Sequence, residues 1–68
     1  MDLNATRIFI NIVQQGSFSA AARHMKMPVA TVSRQLSELE KSLNIKLLER
    51  TTRKLRLTLA GETLYQYP

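Results

Sequence analysis

The chain has 68 residues, no cysteine, and ten Lys and Arg against five Asp and Glu, for a formal charge of +5 and a pI of about 10.3. A chain this short buries only about 60 % of the surface its unfolded form exposes, so one compact core is all it can build. The lack of cysteine excludes disulfide scaffolding, thiolate chemistry and Cys-based zinc sites, and no apolar run approaches the roughly 18 residues of a membrane span, so a cytoplasmic protein with no membrane partner is expected.

A first helix is expected over residues 3–15, capped by Asp2 or Asn4, with Leu3, Ile8, Phe9, Ile12 and Val13 on its buried side and Gly16 as a left-handed stop. Thr6 interrupts that apolar stripe, and its hydroxyl can bond back to the preceding turn. Ser17 then caps a short helix from Phe18 to about His24. Its Ala20-Ala21-Ala22 run combines helix propensity with side chains small enough for two helices to cross closely. Met25 plugs the core. Lys26-Met27-Pro28 makes the turn, because Pro28 disfavours helical geometry at Met27 yet is tolerated in the first turn of the helix that follows.

That third helix, residues 28–43, places Val32, Leu36, Leu39 and Leu43 in one narrow stripe at about 100° per residue. On its far side stand Ala30, Ser33, Arg34, Ser37 and Lys41, a face with no large apolar group and only positive charge. Taken alone, such a face is more often that of an ordinary solvated helix. Behind an alanine-rich helix and a proline-marked turn it suits the DNA major groove, with small residues that let the backbone come close. Arg34 can pair bidentately with a guanine or bind a phosphate, and both readings stay open. Thr31 and Ser33, near the helix start, suit hydrogen bonds to phosphate or base, and Ser37 lies along the same side.

Asn44 is expected as a left-handed cap. Residues 46–56 then hold Lys46, Arg50, Arg53, Lys54 and Arg56 with one acid, Glu49, whereas the first 22 residues hold only Asp2 and Arg7. Leu55 and Leu57 can point to the core while Arg56 points out, so residues 46–58 read as a two-stranded hairpin with a basic tip, a wing beside the helix. Arg53 and Lys54 at the tip can reach the minor groove or its backbone. Arg50 is a further DNA-binding candidate, although Arg50 and Arg56 can instead pair with Glu49 or Glu62. Thr58 caps a last helix through Tyr65, in which Gly61 signals either close packing or a weak start. The chain stops at Tyr67-Pro68 in mid-helix, as a fragment or the first part of a longer protein would.

These elements make a mainly α fold of the winged helix-turn-helix kind: a three-helix core, a two-stranded β-hairpin wing and the start of a C-terminal linker helix. His24 is the only histidine and the carboxylates are scattered, so no triad, metal site or paired acid–base site can be assembled; neither enzyme activity nor a cofactor is expected. Glu40 is expected to balance charge between helix and wing, pairing with an Arg. The alternative function is a basic helical module for an acidic protein or RNA. It predicts no inverted-repeat preference, leaves the alanine-rich helix unexplained, and lacks stacking aromatics in the basic segment.

Gly16-Ser17-Phe18-Ser19 with Ala21-Ala22, Val32-Ser33-Arg34-Gln35-Leu36 with Leu39-Glu40, Leu47-Leu48-Glu49-Arg50, and Leu57-Thr58 with Ala60-Gly61 follow one another in register. In that order the chain, from about Leu3 to Tyr65, resembles the N-terminal DNA-binding domain of LysR-type transcriptional regulators. The resemblance implies a winged helix-turn-helix over residues 1–58 and the start of a dimerising linker helix over residues 59–68. It also implies a C-terminal effector-binding domain, absent from these residues, through which a small-molecule co-inducer acts. The implied partner is double-stranded DNA, an imperfect inverted repeat near a promoter, bound by a homodimer or tetramer of a bacterial regulator. Groove-facing positions fall on Val29, Ala30, Ser33 and Arg34, and the wing contact on Arg53. The chain departs from the family at Pro28-Val29, where a capping Ser and a base-reading Gln are usual, so Val29 offers only an apolar contact, for example to a thymine methyl. Leu48 for a frequent Phe and Thr6 for a frequent Leu are packing changes.

Overall fold

The computed structural model describes residues 3–50 and 55–66, without the side chains of Leu3 and Arg50. In chain order the elements are α1 (Leu3–Gln15), α2 (Phe18–Met25), α3 (Val29–Leu43), β1 (Leu48–Arg50), β2 (Leu55–Leu57) and α4 (Leu59–Gln66). Helices α1, α2 and α3 each pack on the other two, the strands pair with each other, and α4 packs on β2. This is a winged helix-turn-helix.

Ala5, Ile8, Phe9 and Ile12 fall on one side of α1 and are buried, because a helix brings i, i+3, i+4 and i+7 to one face. Thr6 is buried among them and does not lack a partner. Asn4 sits inside the helix and so does not cap it; Asp2, the other expected cap, lies outside the described residues. Gly16 ends α1 at φ +85, with its N–H donating to the Ile12 carbonyl at 2.9 Å. Space around it is open, so the backbone conformation alone calls for glycine there.

Ser17 is extended and its Oγ accepts from the Ala20 N–H at 3.0 Å, the expected cap of α2. Ala21 and Ala22 are buried where α2 meets the other two helices. The helix ends in a feature that the sequence reading missed. Lys26 adopts a left-handed conformation at φ 56, its N–H donates to the Arg23 carbonyl at 3.2 Å, and the Met27 N–H returns to the Ala22 carbonyl at 2.9 Å. These are the two closing bonds of a Schellman turn, usually built on glycine.

Helix α3 begins at Val29, one residue later than expected. Pro28, at φ −62 and ψ 143, is its N-cap and lies outside the helix, with its carbonyl accepting from the Thr31 and Val32 N–H groups at 3.0 and 3.2 Å. The chain is still reversing through Lys26 and an extended Pro28, and only then can helical geometry start. Val32, Leu36 and Leu39 are buried, and Leu43 is half-buried against the same core. Asn44 takes the expected left-handed cap at φ 56, with its N–H on the Lys41 carbonyl and the Ile45 N–H on the Glu40 carbonyl.

Strands β1 and β2 are antiparallel, with Leu48 opposite Leu57, Glu49 opposite Arg56 and Arg50 opposite Leu55. Leu55 and Leu57 are half-buried on the core side and Arg56 is exposed, the expected alternation. Glu49 and Arg56 stand directly opposite each other and share the other face. The Thr58 Oγ1 accepts from the Gly61 N–H at 3.0 Å and so caps α4. Gly61 is buried, and a Cβ there would run into the Leu47 carbonyl oxygen; its glycine reflects close packing, not a weak helix start.

Candidate nucleic-acid interface

The core stripe decides which side of α3 is left for a partner. Ala30, Arg34, Ser37 and Lys41 recur at i, i+4, i+7 and i+11, directly opposite Val32, Leu36 and Leu39, and all four are exposed. Two cations and two small side chains therefore form a continuous strip with no acid in it. Thr31 and Ser33 are half-buried on opposite shoulders of that strip, Thr31 on the side of the exposed Glu38 and Ser33 on the side of Glu40. Val29 opens the helix and is 45 % exposed, an apolar group on a surface otherwise made of polar and small residues.

Of the sequence-predicted site residues, the structure thus brings Ala30, Arg34 and Ser37 onto one face, with Thr31 and Ser33 flanking it and Val29 at its N-terminal end. The side chain of Arg50 and the whole of Arg53 and Lys54 lie outside the described residues. Their place in the chain is set by the ladder: Arg50 closes β1 opposite Leu55, so residues 51–54 join the two strands.

Two further groups near this surface were not read from the sequence as site residues. In front of the turn between α2 and α3, the exposed Arg23 and Lys26 flank a hollow that reaches Pro28 and Val29. Their position just before the outward helix was the available signal. On the other side, a groove lined by Ser37, Glu40 and Lys46 separates α3 from the start of β1. Among the described residues Glu40 is bonded to backbone and to no arginine; the side chains of Arg50 and Arg53 lie outside them. The Glu40 Oε2 accepts from the Leu47 N–H at 2.8 Å and from the Leu48 N–H at 3.2 Å, because the chain leaving α3 turns back and aims these two amides at the helix. The clue in the sequence was angular, since Glu40 falls beside the apolar stripe of α3 and away from its exposed strip.

Among the described residues no three His, Asp or Glu side chains gather as a metal site requires. Nor is any described helix long and apolar enough to cross a membrane. What the surface offers is a convex basic strip flanked by a hairpin, a shape suited to a groove in an anionic polymer.

A family model described as bacterial regulatory helix-turn-helix protein, lysR family, matches residues 3–62. The chain is 57 % identical over 60 residues to the probable HTH-type transcriptional regulator LtrA of Klebsiella pneumoniae, which covers 88 % of this chain and 19 % of that protein. Among solved structures, the full-length Vibrio cholerae virulence activator AphB, a member of the LTTR protein family, superposes with a TM-score of 0.95 at 42 % identity, covering 98 % of this chain and 23 % of that one. The BenM DNA-binding domain in complex with catB site 1 DNA superposes with a TM-score of 0.94 at 39 % identity, covering 98 % of this chain and 75 % of that chain. The chain spans about a fifth of the length of the curated relatives it matches.

Proposed function

Because this chain belongs to the lysR family of bacterial regulatory helix-turn-helix proteins, we propose that it is the sequence-specific, double-stranded-DNA-binding domain of a transcriptional regulator. The observation that carries this reading is the exposed strip Ala30, Arg34, Ser37 and Lys41, backed by a buried stripe that fixes its direction. In this reading α3 lies in the major groove. Arg34 contacts a guanine edge or a phosphate, Val29 and Ala30 allow close apolar contact with base edges, and Thr31, Ser33 and Ser37 supply hydroxyls to bases and backbone. The wing, residues 46–58, follows the DNA backbone or minor groove beside it, with Arg50, Arg53 and Lys54 as its cations.

Residues 1–58 are the reader, and residues 59–68 begin a linker helix through which a homodimer or tetramer forms. Leu59, 82 % exposed on α4, is an apolar group available to such a contact. The DNA site is then an imperfect inverted repeat near a promoter, and a small-molecule co-inducer acts through a separate effector-binding domain. The setting is the bacterial cytoplasm, and the domain carries out binding rather than catalysis.

Selection from random duplexes at fixed salt, with the chain held as a dimer, tests this. The expected result is a common half-site repeated in inverted orientation. Recovery of no common half-site would overturn specific reading and favour a generic basic module.

A further inference from the structure

We propose that Glu40 is the positioning residue that sets where the wing stands relative to the DNA-facing strip of α3. The proposal rests on the DNA-reading function above and deepens it. Residues 46–48 are the part of the wing that the chain enters first on leaving α3, and they are held from two sides. On the α3 side, one carboxylate oxygen of Glu40 takes the N–H groups of both Leu47 and Leu48, while the main-chain carbonyl of Glu40 takes the Ile45 N–H at 3.0 Å. On the α4 side, the Lys46 carbonyl accepts from the Thr58 Oγ1 hydroxyl at 2.6 Å and the Leu47 carbonyl from the Thr58 N–H at 3.1 Å, with Gly61 packed against that same carbonyl.

Glu40 is therefore one turn beyond Ser37 on α3 and simultaneously bonded to the backbone that opens β1. One side-chain oxygen shared by two adjacent amides ties both of them to a single point on α3. The tie fixes the separation of Arg34 and Ser37 from the hairpin that carries Arg53 and Lys54. Through Thr58 it also makes the start of α4 part of the same rigid piece. Two hydrogen-bonded links, from Glu40 to residues 47–48 and from residues 46–47 to Thr58, connect the recognition helix with the linker helix.

The chemistry separates the substitutions. Glutamine keeps an oxygen in the place of Oε2; aspartate keeps the charge but is one methylene too short to reach; alanine keeps neither. The test uses the 68-residue chain in two measurements: amide hydrogen exchange without DNA, and titration with a short mixed-sequence duplex over a series of salt concentrations. Glu40→Ala is expected to speed exchange at Leu47 and Leu48 by about tenfold or more while leaving the helical amides of Phe9 and Leu36 unchanged. It is expected to weaken duplex binding by about tenfold and to flatten the log–log salt slope by up to about 2, the contribution of two wing cations at about 0.9 each. Glu40→Gln should stay close to the unmodified chain in both measurements, and Glu40→Asp should follow alanine without loss of helix, which keeps the test valid if the alanine variant unfolds. In an Arg53→Ala/Lys54→Ala background the Glu40→Asp change should add almost nothing. Equal losses in both backgrounds, or unchanged exchange at Leu47 and Leu48, would overturn the positioning role while leaving DNA reading intact. Failure of the unmodified chain to bind the duplex would overturn DNA reading itself, and this role with it.

Discussion

At its N-terminal end α3 starts from Pro28, which offers no side chain to the first-turn amides, and it presents Val29 to solvent. At its C-terminal end the last turn is closed by Asn44, and Glu40 is bonded to the backbone of the next element. The rear of the helix is satisfied by its own chain. The front is left with an uncapped first turn, an exposed apolar group and the basic pair Arg23 and Lys26 close by. A helix end costs stability when its donors go unserved. The first turn is thus the part of α3 that its own chain serves least.

If the two ends differ in this way, front substitutions should register as lost binding with stability kept, and rear substitutions as lost stability or as binding lost through displacement of the wing. The largest effect is expected at Gly61→Ala. The new methyl meets the Leu47 carbonyl, a backbone atom that cannot swing aside, and thermal unfolding should show a loss of about 3 kcal/mol. A melting temperature unchanged in that variant would show that α4 and residues 46–48 part easily, and the rear would lose its claim to rigidity. Next is Arg34→Ala, exposed on the strip. It should leave the melting temperature unchanged and relax discrimination at one base position by about 2 kcal/mol if the contact is to a guanine, read by comparing duplexes that differ at single positions. A uniform loss across all sequences would make Arg34 a phosphate contact.

Smaller effects sharpen the contrast. Lys26→Gly relieves a left-handed lysine in the turn ahead of α3 and should stabilise the fold by about 1 kcal/mol in chemical denaturation. The same variant should bind DNA slightly less well if Lys26 contributes to the basic front, so stability and affinity would move in opposite directions. Lys54→Ala, in the segment that joins the two strands, should weaken all duplexes alike and reduce the salt slope by about 0.9 without altering sequence preference. A change of preference there would move part of base reading from α3 to the wing.

Most of the elements were legible because their signals are local. The stripe of Val32, Leu36 and Leu39, the Ser17 cap, the Gly16 stop, the Asn44 cap and the alternation of Leu55, Arg56 and Leu57 all depend on residues within a turn or two of one another. The left-handed Lys26 was not legible for the same reason: nothing in lysine favours that conformation, and the reversal between α2 and α3 imposes it. The start of α3 was misplaced by one residue because proline's fixed φ suits both a first helical turn and the residue before it; only ψ, set by the reversal, separates the two. Asn4 had the chemistry of a cap but lies after the helix has begun.

The sequence by itself determined four helices, a basic hairpin and the side of α3 that faces out, since periodicity and capping are properties of neighbouring residues. Gly61 stood between two readings until the fold set Leu47 against it, and the two amides that Glu40 serves reach it only because the chain beyond Asn44 folds back onto the helix. Those contacts join residues seven to fourteen positions apart across a change of direction. No local pattern records such a change. The tertiary structure therefore decided how the wing and α4 are fastened to the helix between them, because a backbone amide or carbonyl carries no residue type and its partner is chosen only by where the chain goes.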